Sequence, residues 1–383
     1  MRLLYVTDAF AVWGGMERVL TDKMNYLSEC YGYDVVLLTI NQGHHSIPFP
    51  LHSRIKQIDL DVRMHQQYDY CGVSRLLKRC QLEHLLFDKL KDVLFQVKSD
   101  IIVCVKLDFV GILNKVKGDV PLIVESHTLC NAELYEKSGI YRKIHFWILK
   151  RYIRKVDALV ALTEGDASDW RKTKVNVYVI PNVVNLNDKA TYSMCQAKSV
   201  IFVGRISRQK NIGILLNIWE KVYLHHSDWR LHIYGEIGDV ESDVYERLLS
   251  SCKYGVCVHK PIKENMIEEY KKHSILLLTS LFEPFGLVIP EAMSCGLPIV
   301  SFDSPYGPSS IITNGYDGFI VDNNDENSFC SKLFLLMEDD NMRRRMGSNA
   351  INSSKRYTDD TIMPLWVKLF ERIIEQKKNP RLK

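Results

Sequence analysis

Short apolar runs alternate with longer amphipathic stretches along most of the chain. LLYVT (3–7), DVVLLT (34–39), DIIVCV (100–105), PLIVES (121–126), ALVALT (158–163) and VNVYVIPN (175–182) have the near-continuous apolar character of strands buried on both faces of a parallel sheet. Between them, MERVLTDKMNYLSE (16–29) and VSRLLKRCQLEHLLFDKLKDVLFQV (73–97) carry apolar residues at helical spacing. A polar stretch follows at 187–199. The alternation then resumes with SVIFVGR (199–205) and continues through WRLHIYG, SILLLTS, LPIVSF and GFIV. This order predicts an α/β protein made of two doubly wound units, residues 1–186 and 187–357. A last helix over about 358–378, within the segment 358–383, is expected to cross back to the first unit. A length of 383 residues agrees, since it exceeds what one core usually organises.

Composition narrows the class. With 46% hydrophobic and 25% charged residues the chain can bury two cores. No run approaches the ~20 apolar residues of a membrane-spanning helix. The opening MRLLYVTDAF is broken by Asp8 and reads as a first strand, so a cytoplasmic protein is expected. The net charge of +4 lies entirely within residues 1–195 and is too small to imply nucleic-acid binding. Ten cysteines are scattered without a C-x-x-C pair or Cys/His metal spacing, which suggests reduced thiols and neither a metal nor a redox centre.

Candidate chemistry concentrates in ILLLTSLFEPFGLVIPEAMSCGLPIVSF (275–302). Here an apolar strand ends in a turn at Pro284, Phe285 and Gly286, and a helix runs on to a stop at Gly296. Pro290 lacks an N–H and is tolerated only in a first turn, which places the helix start near Leu287 or Val288. Glu283 and Glu291 therefore flank a helix N-terminus, whose unpaired N–H groups and partial positive charge suit a phosphate. The same pattern occurs in ordinary α/β folds, where such glutamates are simply solvated. Arg205 follows the strand IFVG and Lys210 lies five residues on, so one loop can aim two cations at a diphosphate; the alternative is a pair of solvated surface cations.

E-P-F-G-L-V-I-P-E (283–291) and G-R-I-S-R-Q-K-N (204–211), together with Gly14-Gly15, His127 and I-P-N (180–182), resemble the retaining glycosyltransferases of family 4, bacterial surface-polysaccharide type. The resemblance spans nearly the whole chain, strongest over 199–322 and weakest over about 41–100. It implies the GT-B fold, two Rossmann-like domains facing across a cleft, with the acceptor on the N-terminal domain and a nucleotide sugar on the C-terminal one. It further implies that Arg205 and Lys210 bind the diphosphate in place of a metal ion and that Glu291 bonds the ribose. Glu283 would hold hydroxyls of the donor sugar, and the backbone of Phe285, Gly286 and Leu287 would cradle the phosphates. Gly14 and Gly15 would let the backbone approach a phosphate or the acceptor, although such a pair is often only a turn. His127 would contact the donor sugar near the reacting centre, and Asn182 would lie at the interdomain edge or cap a turn.

The reaction implied is transfer of a hexose or N-acetylhexosamine, with retention, onto a glycan or lipid-linked glycan, needing no cofactor beyond the nucleotide sugar. DSPYGPSSIITNGYDGFIV (303–321) resembles bacterial members acting on cell-surface glycans and favours a UDP-sugar over GDP-mannose. Other readings are a GDP-mannose-dependent mannosyltransferase, a sugar-nucleotide 2-epimerase, and an inactive sugar-nucleotide-binding scaffold subunit. The absence of G-x-G-x-x-G after the first strand argues against a nicotinamide enzyme. YRKIHFWILKRYIRK (141–155) interleaves Lys and Arg with Phe146, Trp147 and Ile148. It reads either as a helix resting on an anionic membrane at the inner face of the cell membrane or as one packing on the sheet with its cations in water.

Overall fold

Successive residues of the first strand face opposite sides of a sheet, Leu3 and Tyr5 entering one apolar cluster and Leu4 and Val6 another. Both faces are therefore covered, as a parallel sheet requires. The computed structural model describes residues 1–131, 140–184, 186–187, 191–262 and 265–379; positions 188–190 of the polar stretch lie outside the described residues. Two compact units result, Met1–Val183 with Ile362–Lys383, and Val184–Thr361.

The first unit contains β1 (Arg2–Thr7), β2 (Asp34–Thr39), β3 (Lys56–Asp59), β4 (Ile101–Cys104), β5 (Leu122–Glu125), β6 (Ala158–Ala161) and β7 (Val177–Val179). All pair in parallel in the order β3-β2-β1-β4-β5-β6-β7. The second unit contains β8 (Ser199–Val203), β9 (Arg230–Tyr234), β10 (Val256–His259), β11 (Ile275–Leu278), β12 (Ile299–Phe302) and β13 (Gly318–Val321), in the parallel order β10-β9-β8-β11-β12-β13. Strand order reverses between β1 and β4 in one sheet and between β8 and β11 in the other. Doubly wound sheets bind ligands beyond the strand carboxyl ends at such points.

Two strands escape the sequence pattern. β3, KQID, and β10, VCVH, are both edge strands. An edge strand buries one side only: in β3 Lys56, Gln57 and Asp59 are exposed, leaving too little apolar signal to detect. The last helix, Asp359–Lys378, buries Ile362, Met363, Trp366, Leu369, Phe370 and Ile373 at helical spacing. These side chains join the cluster of Leu3, Tyr5, Met24 and Val35 in the first unit.

Candidate active site

In the second unit the loops after β8 and β11, the two strands of the switch point, are tied together. Leu281 N–H donates to Gln209 O (2.8 Å), Gln209 Nε2 donates to Phe282 O (3.1 Å), and Thr279 Oγ1 donates to Lys210 O (3.0 Å). These bonds bring Lys210 Nζ to 2.5 Å from Glu283 Oε2, which also accepts from Ser280 Oγ at 3.1 Å. The pair is mostly buried, with side-chain exposures of 15% and 9%. Close approach makes this possible at Gly204, where an added Cβ would sit 3.1 Å from Lys210 Cε.

Backbone bonds fix Glu283 as well. Its N–H donates to Pro305 O (2.7 Å), and its carbonyl accepts from Tyr306 N–H (3.0 Å) and Gly307 N–H (2.8 Å). Gly286 then turns the chain with φ +88°, a conformation that favours glycine, into the helix Val288–Ser294 with Leu287 at its N-cap. Pro290 sits in the first turn. The helix ends in a Schellman arrangement: Gly296 N–H donates to Met293 O (2.9 Å) and Leu297 N–H to Ala292 O (3.1 Å). The Phe285 side chain is core, packing edge-on against Tyr357 with ring centroids 5.5 Å apart, so only its backbone is available to a ligand.

Glu291, in that first turn, accepts from the Tyr270 hydroxyl at 3.1 Å and is half-buried. Arg205 is exposed and has no ion pair or hydrogen bond among the described residues; its stem packs over Gly238, whose added Cβ would lie 2.8 Å from Arg205 Cδ. One loop thus offers an uncommitted guanidinium and an ammonium held by a carboxylate. In the same unit His232 and His259 stack with ring centroids 5.1 Å apart and His273 tilts against His232 at 4.8 Å; burial, then neighbouring His232, hold the His273 imidazole down at about 4.

In the first unit Gly14 caps the helix Gly15–Glu29 in an extended conformation, beside Glu17, whose carboxylate occupies the space a Cβ would need. Gly15 is exposed. His127 follows β5 with its side chain 10% exposed and its Nε2 3.2 Å from Glu125 Oε1, off the line of a hydrogen bond. Glu125 in turn is ion-paired through Oε2 to Lys23, and both are 1% exposed. Burial favours the neutral acid, but the Lys23 ammonium and then His127 outweigh it and hold the carboxyl at about 2. Asn182 is buried and its Oδ1 has no hydrogen-bond partner among the described residues, so it does not cap a turn through that atom.

A groove of about 1310 Å³ opens in the same unit at the β1/β4 switch point. Asp8 follows β1, and Lys106 and Asp108 follow β4; Tyr68 and Tyr152 add rings, and Arg79 paired with Glu83 and His145 paired with Asp108 make the lining mixed in charge. One wall is the helix Ile140–Ile153, which covers most of the basic segment. Its Ile144 and Trp147 are 48% and 58% exposed, and Arg151 lies over the Trp147 ring at 4.9 Å. Side chains 140–142 lie outside the described residues.

The sequence pointed to Lys210 and Glu283 separately; the structure makes them one ion pair. It brings Arg205, Lys210, Glu283, Phe285, Gly286, Leu287 and Glu291 to one sheet end, whereas Gly14, Gly15, His127 and Asn182 belong to the other unit. Lys23 and Glu125 went unnoticed. The available signals were a lysine in the apolar stripe of Leu20, Met24 and Leu27, and a glutamate closing the apolar strand LIVE.

Residues 193–353 match the model described as Glycosyl transferases group 1, and residues 13–188 match Glycosyltransferase Family 4. The chain is 25% identical to the amylovoran biosynthesis glycosyltransferase AmsD of Erwinia amylovora, over 95% of this chain and 98% of that protein. It is 24% identical to an α-1,4-N-acetyl-D-galactosaminyltransferase of Campylobacter jejuni, whose name specifies a GalNAc-containing, PP-undecaprenol-linked acceptor, over 94% and 96% of the two chains. Among solved structures, a mutant of S. aureus TarM in complex with fondaparinux, α-GlcNAc-glycerol and UDP superposes with a TM-score of 0.79 at 15% identity, covering 96% of this chain and 99% of that one.

Proposed function

From the premise that the chain belongs to the family 4 glycosyltransferases of surface-polysaccharide type and has the GT-B fold, we propose a retaining transfer of a hexose or N-acetylhexosamine. The donor is a UDP-sugar and the acceptor a glycan or lipid-linked glycan. The observation that carries this reading is the joining of the Arg205–Lys210 loop to the Glu283–Leu287 turn at the β8/β11 switch point.

Breaking the bond between the anomeric carbon and the diphosphate leaves negative charge on the departing β-phosphate. Arg205 meets that charge directly, and Lys210 can turn from Glu283 toward it, which provides the stabilisation that needs no metal ion. Glu283, released or shared, accepts hydrogen bonds from donor-sugar hydroxyls, while Glu291 accepts from the ribose diol. The acceptor hydroxyl bonds to the anomeric carbon on the face the phosphate leaves, and its proton passes to the departing phosphate oxygen. Configuration is kept without a protein nucleophile. Glu283, still holding the Ser280 hydroxyl and the sugar hydroxyls, serves this route as a position-holder and not as a nucleophile.

UDP in the TarM complex supports the choice of base, and the PP-undecaprenol in the Campylobacter enzyme's name supports a lipid-linked acceptor. The β1/β4 groove, with carboxylates for hydroxyls and rings for sugar faces, is the proposed acceptor site. Exposed Trp147 and Ile144, with the cations of their helix, are the proposed contact with anionic lipid; no helix among the described residues is long and apolar enough to cross a membrane.

Thermal-shift measurement with UDP, GDP and their sugars tests the reading. UDP at 100 Kd should stabilise the fold by about 2.7 kcal/mol, a rise of a few degrees that persists in EDTA. If no nucleotide raises the melting temperature, the reading fails.

A further inference from the structure

A lysine and a glutamate lie together in the interior of the first unit, each about 1% exposed. Lys23 comes from the helix Gly15–Glu29 and Glu125 from the end of β5. Trp366, from the helix Asp359–Lys378, closes the site with its ring centroid 3.9 Å from Lys23 Nζ, and the Tyr5 ring lies at 5.4 Å. Buried ion pairs are seldom net stabilising, and well-packed apolar residues of similar volume usually serve a core as well or better. What an apolar pair cannot supply is an oriented negative oxygen. Glu125 spends Oε2 on Lys23 and leaves Oε1 3.2 Å from His127 Nε2, close enough to act on the imidazole although the approach is off the line of a hydrogen bond, and Nε2 has no other partner among the described residues. His127 is the member of this cluster that reaches solvent.

We infer that Glu125 is a positioning residue for His127: its carboxylate, anchored by Lys23 beneath Trp366, orients the imidazole and holds it as the Nε2–H tautomer. A neutral imidazole with its proton on Nε2 presents Nδ1 as an acceptor. Nδ1 is then the atom offered to a sugar hydroxyl, and the ring is kept from turning. Burial is the largest single influence on the Glu125 carboxyl and favours the neutral acid, but Lys23 and His127 together outweigh it and keep the group ionised, which this role requires. The inference rests on the glycosyltransferase reading for what His127 does, but not for how it is held.

The test combines a spectrum with kinetics. The ¹⁵N imidazole spectrum of the wild-type protein, with His127 assigned by its loss in His127→Asn, should show Nε2 protonated and Nδ1 free. In Glu125→Gln this preference should weaken. Lys23→Met/Glu125→Leu removes both charges and should fold with a melting temperature near that of wild type. Its rate of UDP release from the UDP-sugar giving the largest thermal shift should fall about tenfold or more in kcat, with KM for the donor little changed. Glu125→Asp should recover part of that loss. An Nδ1–H tautomer or a doubly protonated imidazolium at neutral pH in the wild type overturns the inference, as does a folded double variant with wild-type kcat. If the double variant does not fold, the spectra of wild type and Glu125→Gln decide. Failure of every nucleotide to bind wild type would instead overturn the proposed activity and leave the tautomer result standing.

Discussion

The molecule contains two Lys–Glu pairs of opposite character. Lys23 and Glu125 have side chains 1% and 2% exposed and sit among Tyr5 and Trp366. Lys210 and Glu283 are 15% and 9% exposed at the end of a sheet, with Arg205 exposed in the same loop. The first pair cannot open without stranding a charge in the core. The second lies where an arriving diphosphate can compete for the ammonium. The same two residue types thus make a fixed brace in one place and an exchangeable clasp in the other, and the deciding variable is access to solvent and ligand.

The sharpest way to break this contrast is to remove each lysine alone. Lys23→Met leaves Glu125 uncompensated and should cost about 3–5 kcal/mol of stability. Lys210→Met should cost about 1 kcal/mol, because Ser280 and entering water still satisfy Glu283. Turnover should reverse the ranking per unit of stability lost: Lys210→Met should lower kcat by roughly 10²–10³-fold while the protein stays folded. Equal melting temperatures for the two variants would abolish the distinction.

Acid should separate the units in order. His273 is favoured neutral in the folded state, so the unfolded chain takes up a proton first. Its contribution is full above its ordinary 6.5 and drains as pH falls toward about 4. Glu125 is favoured ionised, so its contribution is full above 4.5 and drains only as pH falls toward about 2. Hydrogen exchange followed by mass spectrometry should show the second unit losing protection between pH 6.5 and 4, before the first. The reverse order would contradict the assignment of Glu125 to a firmly ionised core site.

The smallest effect is expected at Glu291, which belongs to neither pair. Glu291→Ala should weaken UDP-sugar binding about tenfold by calorimetry, the scale of one hydrogen bond to a charged acceptor, and leave kcat at saturating donor nearly unchanged. A large drop in kcat would mean that it shares the charge-stabilising work given to Lys210.

Much of this was legible in the chain. Strands covered on both faces announce themselves, as IIVC and ILLL do, and Pro290 located the start of a helix within one residue. Of the four edge strands VYV and GFIV were read and KQID and VCVH were not: KQID has a single apolar residue, and VCVH is four residues long, ends on His259 and runs straight into Lys260. Individual site residues could be picked out, but pairing between residues 73 or 102 positions apart depends on which loops and strands lie side by side. Lys23 was hidden for a different reason. A lysine within an amphipathic helix normally turns outward, and only the glutamate on β5 explains why this one turns inward.

Ile362 onward completes the core of the first unit although all of the second unit intervenes in the chain. In covalent order the second unit is an insert and the first its host. A fragment cut after residue 183 would lack the ring over Lys23 and leave Leu3, Tyr5 and Met24 partly uncovered, whereas 184–361 could be excised as one piece. Anyone dissecting this protein should therefore splice 183 to 362 through a short linker rather than truncate, because the host is whole only when both ends of the chain are present.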